Sequence, residues 1–316
     1  MPPRSPLPRR HGLDAAWMRT PDADPLRTTP WPTMGDWLED RLSERVDVAG
    51  FLAAGRFVDE TGAAVAAAAA YRPCAFVWFH RDLVDEAVVP GEIHIVHQDE
   101  RIVVVDKPAF LSTIPRGRHV VQSVVVRLRE QLALPELSPL HRLDRVTSGL
   151  LVLATQRRWR GAYQSLFQRR EVDKAYRALA PLRPDLDLPV TVRNHLLTRR
   201  GQWQAEVLHG AAPNAESLIE VETVLGDMAV YRLSPRTGRT HQLRMHMLGL
   251  GIPISGDPLY PVVRDVALDD FSTPLQLLAS DMSFKDPIDG AQHRFESVRR
   301  LPLRSEVMPD DARLNT

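Results

Sequence analysis

HRLDRVTSGLLVLAT, residues 141–155, is the stretch whose reading decides the fold. It sets a carboxylate, Asp144, between Arg142 and Arg145, and Thr147-Ser148-Gly149 then opens an apolar run that ends at Ala154. A short run rich in branched side chains and bounded by turn-forming residues reads as a buried strand. Asp144 therefore falls on the loop at the mouth of that strand, where rigid scaffolds present reactive groups. A lone loop aspartate can equally steady a turn by accepting nearby backbone N–H groups. The residues further along decide between the two.

A chain of 316 residues with 44% hydrophobic content suggests one large or two modest domains with a real core. One cysteine, Cys74, excludes an internal disulfide framework and fits a reducing compartment. The longest low-polarity run, Ala63 to Ala70, is too short to cross a bilayer. The Pro- and Arg-rich start lacks the apolar segment of a secretory signal, so a cytoplasmic protein is expected. Formal net charge is zero, but its distribution is uneven. Residues 31–100 carry about eight more acids than bases, and residues 141–200 about eight more bases than acids. Local potential steers association, so a polyanion would meet the second region, although a solvated basic face has the same composition. The cations are nearly all arginine, with only Lys107, Lys174 and Lys285 as lysines. Arginine forks onto phosphate and stacks on bases, which suits an RNA partner.

Residues 1–32, rich in Pro and Arg, read as a flexible tail. In residues 33–87 Trp37, Leu38 and Leu42 suit one short helix and Val48 to Ala54 a second. Arg56 to Asp59 and Ala75 to Phe79 suit strands around a turn at Thr61-Gly62. This order resembles the small RNA-binding domain of a small-subunit ribosomal protein, found also in RNA-modifying enzymes. The present copy is acidic where an RNA-gripping face is basic, and reads as a degenerate member of that group.

A polar linker, Asp85 to Gly91, leads to a second domain over residues 88–303, with a polar tail at 304–316. Ile93 to Val96 and Ile102 to Val105 read as strands, and the Val121 to Leu132 pattern as a helix stopped by Pro135. After the strand that follows Asp144, Trp159, Ala162, Tyr163, Leu166 and Phe167 mark one face of a helix, and EVDKAYRAL then alternates as a strand carrying Tyr176. Val190 to Leu197, Trp203 to Leu208, Ser217 to Leu225 and Met228 to Leu233 follow as short strands in meander order. Thr240 is placed to cap a helix from His241 to about Gly249 with Leu243, Met247 and Leu248 on its apolar side. Leu275 to Phe284 returns a last strand. The class expected is α+β, a mixed, largely antiparallel sheet with flanking helices.

HRLDRVTSGLLVLA at 141–154, DKAYRAL at 173–179 and GRTHQLRMHMLGLGIPISGDPLY at 238–260 resemble, in order and spacing, the signature motifs of the RluA-type pseudouridine synthases. VVVDKPAFLSTIP at 103–115 resembles that family's opening strand, with Ala109 where a glycine is common; Pro181 replaces the usual glycine after the tyrosine strand. The resemblance implies isomerisation of uridine to pseudouridine in structured RNA, ribosomal RNA favoured over transfer RNA, by a monomer needing no cofactor and no metal. By the same resemblance Asp144 is the nucleophile and Arg244 its ion-pair partner. Tyr176 stacks on the uracil, Leu243 packs its other face, and Arg142 fills the gap that the flipped nucleotide leaves. His141, Lys174 and Arg239 fall within the motifs and are placed with the substrate-binding residues. Elementary chemistry agrees. A nucleophilic carboxylate must be ionised in a site dry enough to hold a base, and an adjacent guanidinium favours the charged form. A base locked in a helix must be extruded before it can react.

No phosphate-binding glycine loop is present, and His241 and His246, five apart, face different ways on a helix and form no metal pair. Two readings of other classes stand beside the enzyme. One is an RNA-binding or ribosome-assembly protein on the same scaffold, which would show a damaged Asp144, Tyr176 or Arg244. The other is a hydrolase using Asp144 with His141 or His241, which would need a second carboxylate or a metal-ligand set beside them.

Overall fold

The computed structural model describes residues 3–22, 31–42, 46–83, 85–115, 119–199 and 201–304. The chain divides after Asp85 into two compact units. In the first, β1 (Ala16–Arg19), α1 (Met34–Arg41), α2 (Val48–Ala53) and β2 (Phe76–Phe79) enclose a core of Met34, Trp37, Leu38, Phe51, Phe57 and Phe79. Thr33 and Asp36 close a capping box on α1, and Asp47 accepts the Gly50 N–H at the start of α2. Two expectations fail in this unit. Residues 16–19, read as part of a flexible tail, pair antiparallel with β2, because Ala16 and Met18 face the core and Trp17 lies against Phe76. Arg56 to Asp59 forms no strand, and Val58 makes only isolated bridges to Ala64 and Trp78.

The second unit is α+β. In chain order its elements begin with β3 (His94–Gln98), β4 (Ile102–Lys107), α3 (Val124–Gln131), β5 (Ser138–Pro139), β6 (Ser148–Ala154) and α4 (Arg157–Arg169). There follow β7 (Val172–Pro181), β8 (Val190–Asn194), β9 (Leu196–Thr198), β10 (Ala205–Val207), β11 (Ala215–Leu225) and β12 (Met228–Pro235). The last are α5 (Gln242–Gly249), β13 (Leu277–Lys285) and β14 (Gln292–Glu296). One sheet runs β3-β4-β6-β13-β7-β12-β11-β8, with β14 on β13 and β5 on β6, and every pairing in it is antiparallel except β13 with β6. Both faces of its first half are covered. Val103, Val105, Leu151 and Leu153 point toward α3, whereas Ile102, Val104, Leu150 and Val152 point toward α4. Two buried faces are why β4 and β6 read as unbroken apolar runs.

Other differences from expectation have local causes. The 86–91 segment is no free linker: Glu86 accepts the Val120, Val121 and Gln122 N–H groups, and Val89 is buried. Helix α3 starts at Val124, one residue past Ser123. The meander is interrupted, since β9 and β10 leave the sheet as a separate hairpin and β8 pairs with β11. Thr240 does not cap α5. His241 stands at the N-cap in the left-handed region, and the Gln242 side chain holds the turn by accepting the Arg239 N–H and the Thr237 hydroxyl. The helix is also buried all round from Gln242 to Met247, not along one side. It lies on β7, β11 and β12, where Leu243 and Met247 meet Ala178, Ile219, Tyr231 and Leu233. The 304–316 tail lies outside the described residues apart from Arg304.

Gly149 is the point where β6 meets β13. Its φ is +109°, and a Cβ there would lie 2.6 Å from the Ala279 backbone nitrogen and closer still to its oxygen. Gly149→Ala should therefore force both strands apart and strain the backbone, costing about 3 kcal/mol and lowering the melting temperature by roughly 6–12 °C. Calorimetry checks this; an unchanged transition would show that the two strands are not so tightly apposed.

Candidate active site

The loop between β5 and β6 is clamped from several sides. Thr113 Oγ1 donates to the Leu143 carbonyl and accepts the Leu143 N–H, at 2.8 and 3.2 Å. The Thr147 N–H donates to the Asp144 carbonyl. Lys107, at the buried end of β4, donates to the carbonyls of Pro108, Leu111 and Arg145 at 3.0, 2.8 and 3.1 Å. Burial pushes this ammonium down to about 7, against the pull of the Asp144 charge. The loop backbone is thus fixed, while the Asp144 side chain remains 37% exposed.

Facing it is α5. Arg244 Nη1 lies 3.8 Å from Asp144 Oδ2, and His241 Nε2 lies 3.8 Å from the same oxygen. Arg244 is held from behind. Its Nε and Nη2 donate to the two oxygens of Asp257 at 2.7 and 2.5 Å, both side chains being 1–2% exposed. Asp257 also accepts the N–H groups of Leu259 and Tyr260, and the Tyr260 ring packs 5.0 Å from the guanidinium carbon. A buried guanidinium needs such a saturated partner. Two edges of the fork are consumed on Asp257, and Nη1 is presented to Asp144.

Tyr176 sits on β7 between Leu233 and Ala279, half-buried against the clusters on both sides. Burial, and then the charge of Asp144, push its phenol above the ordinary range, so it stays protonated. Leu243 belongs to one of the same clusters, as does Val146, two residues past Asp144. Asp144, Tyr176, Leu243 and Arg244, far apart in sequence, therefore converge.

The other expected site residues are placed differently. Arg142 is exposed. Arg239 is exposed and donates from Nε to the Asn214 carbonyl. Lys174 is half-buried on β7 near His141. His141 is held by the scaffold: its Nε2 accepts the Val152 N–H at 3.1 Å, its ring stacks on Phe167 at 4.6 Å, and burial pushes it down to about 3. It is a neutral strut between β6 and α4. Sequence reasoning assigned no role to Lys107, Asp257 or Tyr260. Asp257-Pro258-Leu259-Tyr260 closes the third motif, but the Gly and Pro around it read as scaffold.

Among the described residues no group of three or more His, Cys, Asp or Glu could hold a metal ion, and no helix is long and apolar enough to cross a membrane.

Residues 101–248 match the family described as RNA pseudouridylate synthase. The chain is 35% identical over 204 residues to the dual-specificity RNA pseudouridine synthase RluA of Vibrio parahaemolyticus, covering 61% of this chain and 78% of that one. It is 33% identical over 176 residues to human pseudouridylate synthase RPUSD2, covering 55% of this chain but only 32% of the human protein. The solved structure of human RNA pseudouridylate synthase domain containing 1 shares the fold, with a TM-score of 0.52 at 24% identity over 66% of this chain and 91% of that one. The chain belongs to the RluA-type pseudouridine synthases.

His141 and His246 are pushed down to about 3 and about 4 by burial, from an ordinary 6.5. As pH falls below 6.5 the unfolded chain takes up protons that the folded one refuses, so stability declines until the folded values are reached. His141→Phe should lower the melting temperature at neutral pH and flatten its decline between about pH 6.5 and 4. Thermal melts across that window check this, and an unchanged slope would contradict the buried, neutral assignment.

Proposed function

We propose that this chain isomerises specific uridines in structured RNA to pseudouridine, with Asp144 as the nucleophile and the target nucleotide flipped out of its stack. The observation that carries the reading is the 3.8 Å approach of Arg244 to Asp144 with the guanidinium already anchored on Asp257. A carboxylate next to a fixed cation stays ionised when a base excludes water. Tyr176 and Leu243, in one apolar cluster, supply an aromatic and an aliphatic wall for the uracil. In the reaction the bond from N1 to the ribose breaks, the base turns, and C5 bonds to the same sugar carbon. Asp144 bonds covalently to the group it attacks and that bond breaks again before product leaves, so the carboxylate is regenerated; C5 loses its proton and N1 gains one.

RNA contact is assigned to exposed cations and an exposed ring. Arg142 and Arg239 are exposed, Arg199 and Arg236 have side chains 59% and 76% exposed, and Trp203 beside the β9–β10 turn is 74% exposed. That hairpin is docked by Gln204 on the Leu259 carbonyl and by the Ala205 N–H on the Tyr260 hydroxyl. Aromatic stacking on unpaired bases and arginine on phosphate are the standard means of gripping single strands. The acidic N-terminal unit is assigned a positioning role, and ribosomal RNA is the first target to test.

His241 beside Asp144 also meets the first requirement of a hydrolase. The second carboxylate that a hydrolase would need, Asp257, is however occupied by Arg244 and two backbone N–H groups.

Purified chain incubated with RNA tritiated at uridine C5 should release tritium to water, and Asp144→Asn should release none. Equal signals from the two would overturn the proposal. Arg244→Lys keeps the charge but loses the fork on Asp257, and should reduce turnover more than RNA affinity in single-turnover assays. Trp203→Ala should weaken RNA binding roughly 5- to 150-fold while the rate at saturation stays near wild type. A loss confined to that rate would show that the ring does not contact RNA.

A further inference from the structure

We infer that His241 is a positioning residue for the nucleophile: a neutral imidazole with its proton on Nε2, sharing Asp144 Oδ2 with Arg244 and leaving Oδ1 as the attacking oxygen. This rests on the reading of Asp144 as nucleophile.

The tautomer follows from a chain of contacts. The Ala205 N–H can only donate, and it donates to the Tyr260 hydroxyl oxygen at 2.7 Å. The same oxygen lies 2.9 Å from His241 Nδ1. With one lone pair used, the phenol hydrogen is satisfied by donating to Nδ1; the opposite tautomer would leave it without an acceptor among the described residues. Nδ1 is then an acceptor, and a neutral ring carries its hydrogen on Nε2, the atom facing Asp144. Burial keeps the phenol protonated and keeps the imidazole neutral, outweighing the pull of Asp144 and Asp257, while Arg244 acts in the same sense as burial.

The backbone supports a dedicated placement. His241 has φ +56° at the N-cap of α5, a conformation non-glycine residues adopt uncommonly, and its side chain caps nothing. The turn is held instead by Gln242 through Arg239, Thr237 and Ser217. His241 is thereby free to face the Asp144 carboxylate.

Both donors meet one oxygen. Arg244 Nη1 and His241 Nε2 each stand 3.8 Å from Oδ2, and among the described residues no hydrogen bond reaches Oδ1. Such separations are ion-pair distances, about 0.8 Å longer than hydrogen bonds, and contacts of this kind tighten when substrate closes the site. Once tightened, the two donors on Oδ2 hold the carboxylate against rotation and define which oxygen attacks.

Two measurements on the full chain test this. The first is imidazole nitrogen NMR of the 15N-labelled protein, with His241 assigned by its loss in His241→Asn. Protonated Nε2 and bare Nδ1 are expected, and a mixture of the two in Tyr260→Phe. A proton on Nδ1 in the wild type overturns the inference whether or not the chain turns over RNA. The second is single-turnover tritium release. His241→Gln can place an amide N–H near the Nε2 position, whereas His241→Asn is too short to reach Asp144 yet suits the left-handed backbone. Asn should slow the step on the order of 100-fold, with the RNA concentration for half-saturation little changed, and Gln should recover most of the rate. Equal losses in both variants, or a loss in half-saturation alone, would make the residue merely structural and overturn its role. A wild type that releases no tritium defeats the proposed function and this positioning role together, and the NMR result still decides the tautomer.

Discussion

A guanidinium shut away from water and closed on a single carboxylate governs the architecture of the site. Arg244 and Asp257 each have only 1–2% of the side chain exposed, and neither charge could be left there without the other. The pair fixes more than itself. Asp257 accepts the Leu259 and Tyr260 N–H groups, its own carbonyl accepts from Arg264, and Gly256 lies so close to the Pro274 carbonyl that no side chain fits. The irregular 251–260 segment is therefore tied to α5, and Tyr260 is carried to the place where it orients His241.

From this anchor the charges around Asp144 fall into order. Two buried basic groups bear on it: Arg244 through the free edge of its fork, and Lys107 through the loop whose carbonyl it binds. Two titratable groups nearby are held neutral by burial, Tyr176 as phenol and His241 as imidazole. A partly exposed anion among fixed donors is poised to react with an incoming group, and its surroundings need little rearrangement to receive it.

Much of this was legible in the chain itself, and the boundary of legibility is physical. Strands β4, β6 and β7 were readable because burial on one or both faces writes a clear apolar pattern. Asp144, Tyr176, Leu243 and Arg244 were readable because the motifs hold them in register, and the fold does bring them together. Helix α5 was misread as amphipathic because its buried polar residues, Gln242, Arg244 and His246, bond to tertiary partners that periodicity cannot reveal. Asp257 was missed for a related reason: an aspartate before proline looks like a turn former until its long-range partner is known. His141 was placed with the site because it falls within the first motif, and its ring is built into the scaffold. Strand β1 was hidden by its Pro- and Arg-rich surroundings, and its pairing with β2 and its core contacts are tertiary.

The most direct test is a crystal structure of the chain bound to a uridine-containing RNA. The expected result is a uridine swung out between Tyr176 and Leu243, the Asp144 carboxylate at its sugar or ring, and Arg244 still forked on Asp257 with Nη1 drawn in to hydrogen-bond distance of Asp144. A uridine lodged away from Asp144, or Arg244 released from Asp257 to bind phosphate, would contradict it.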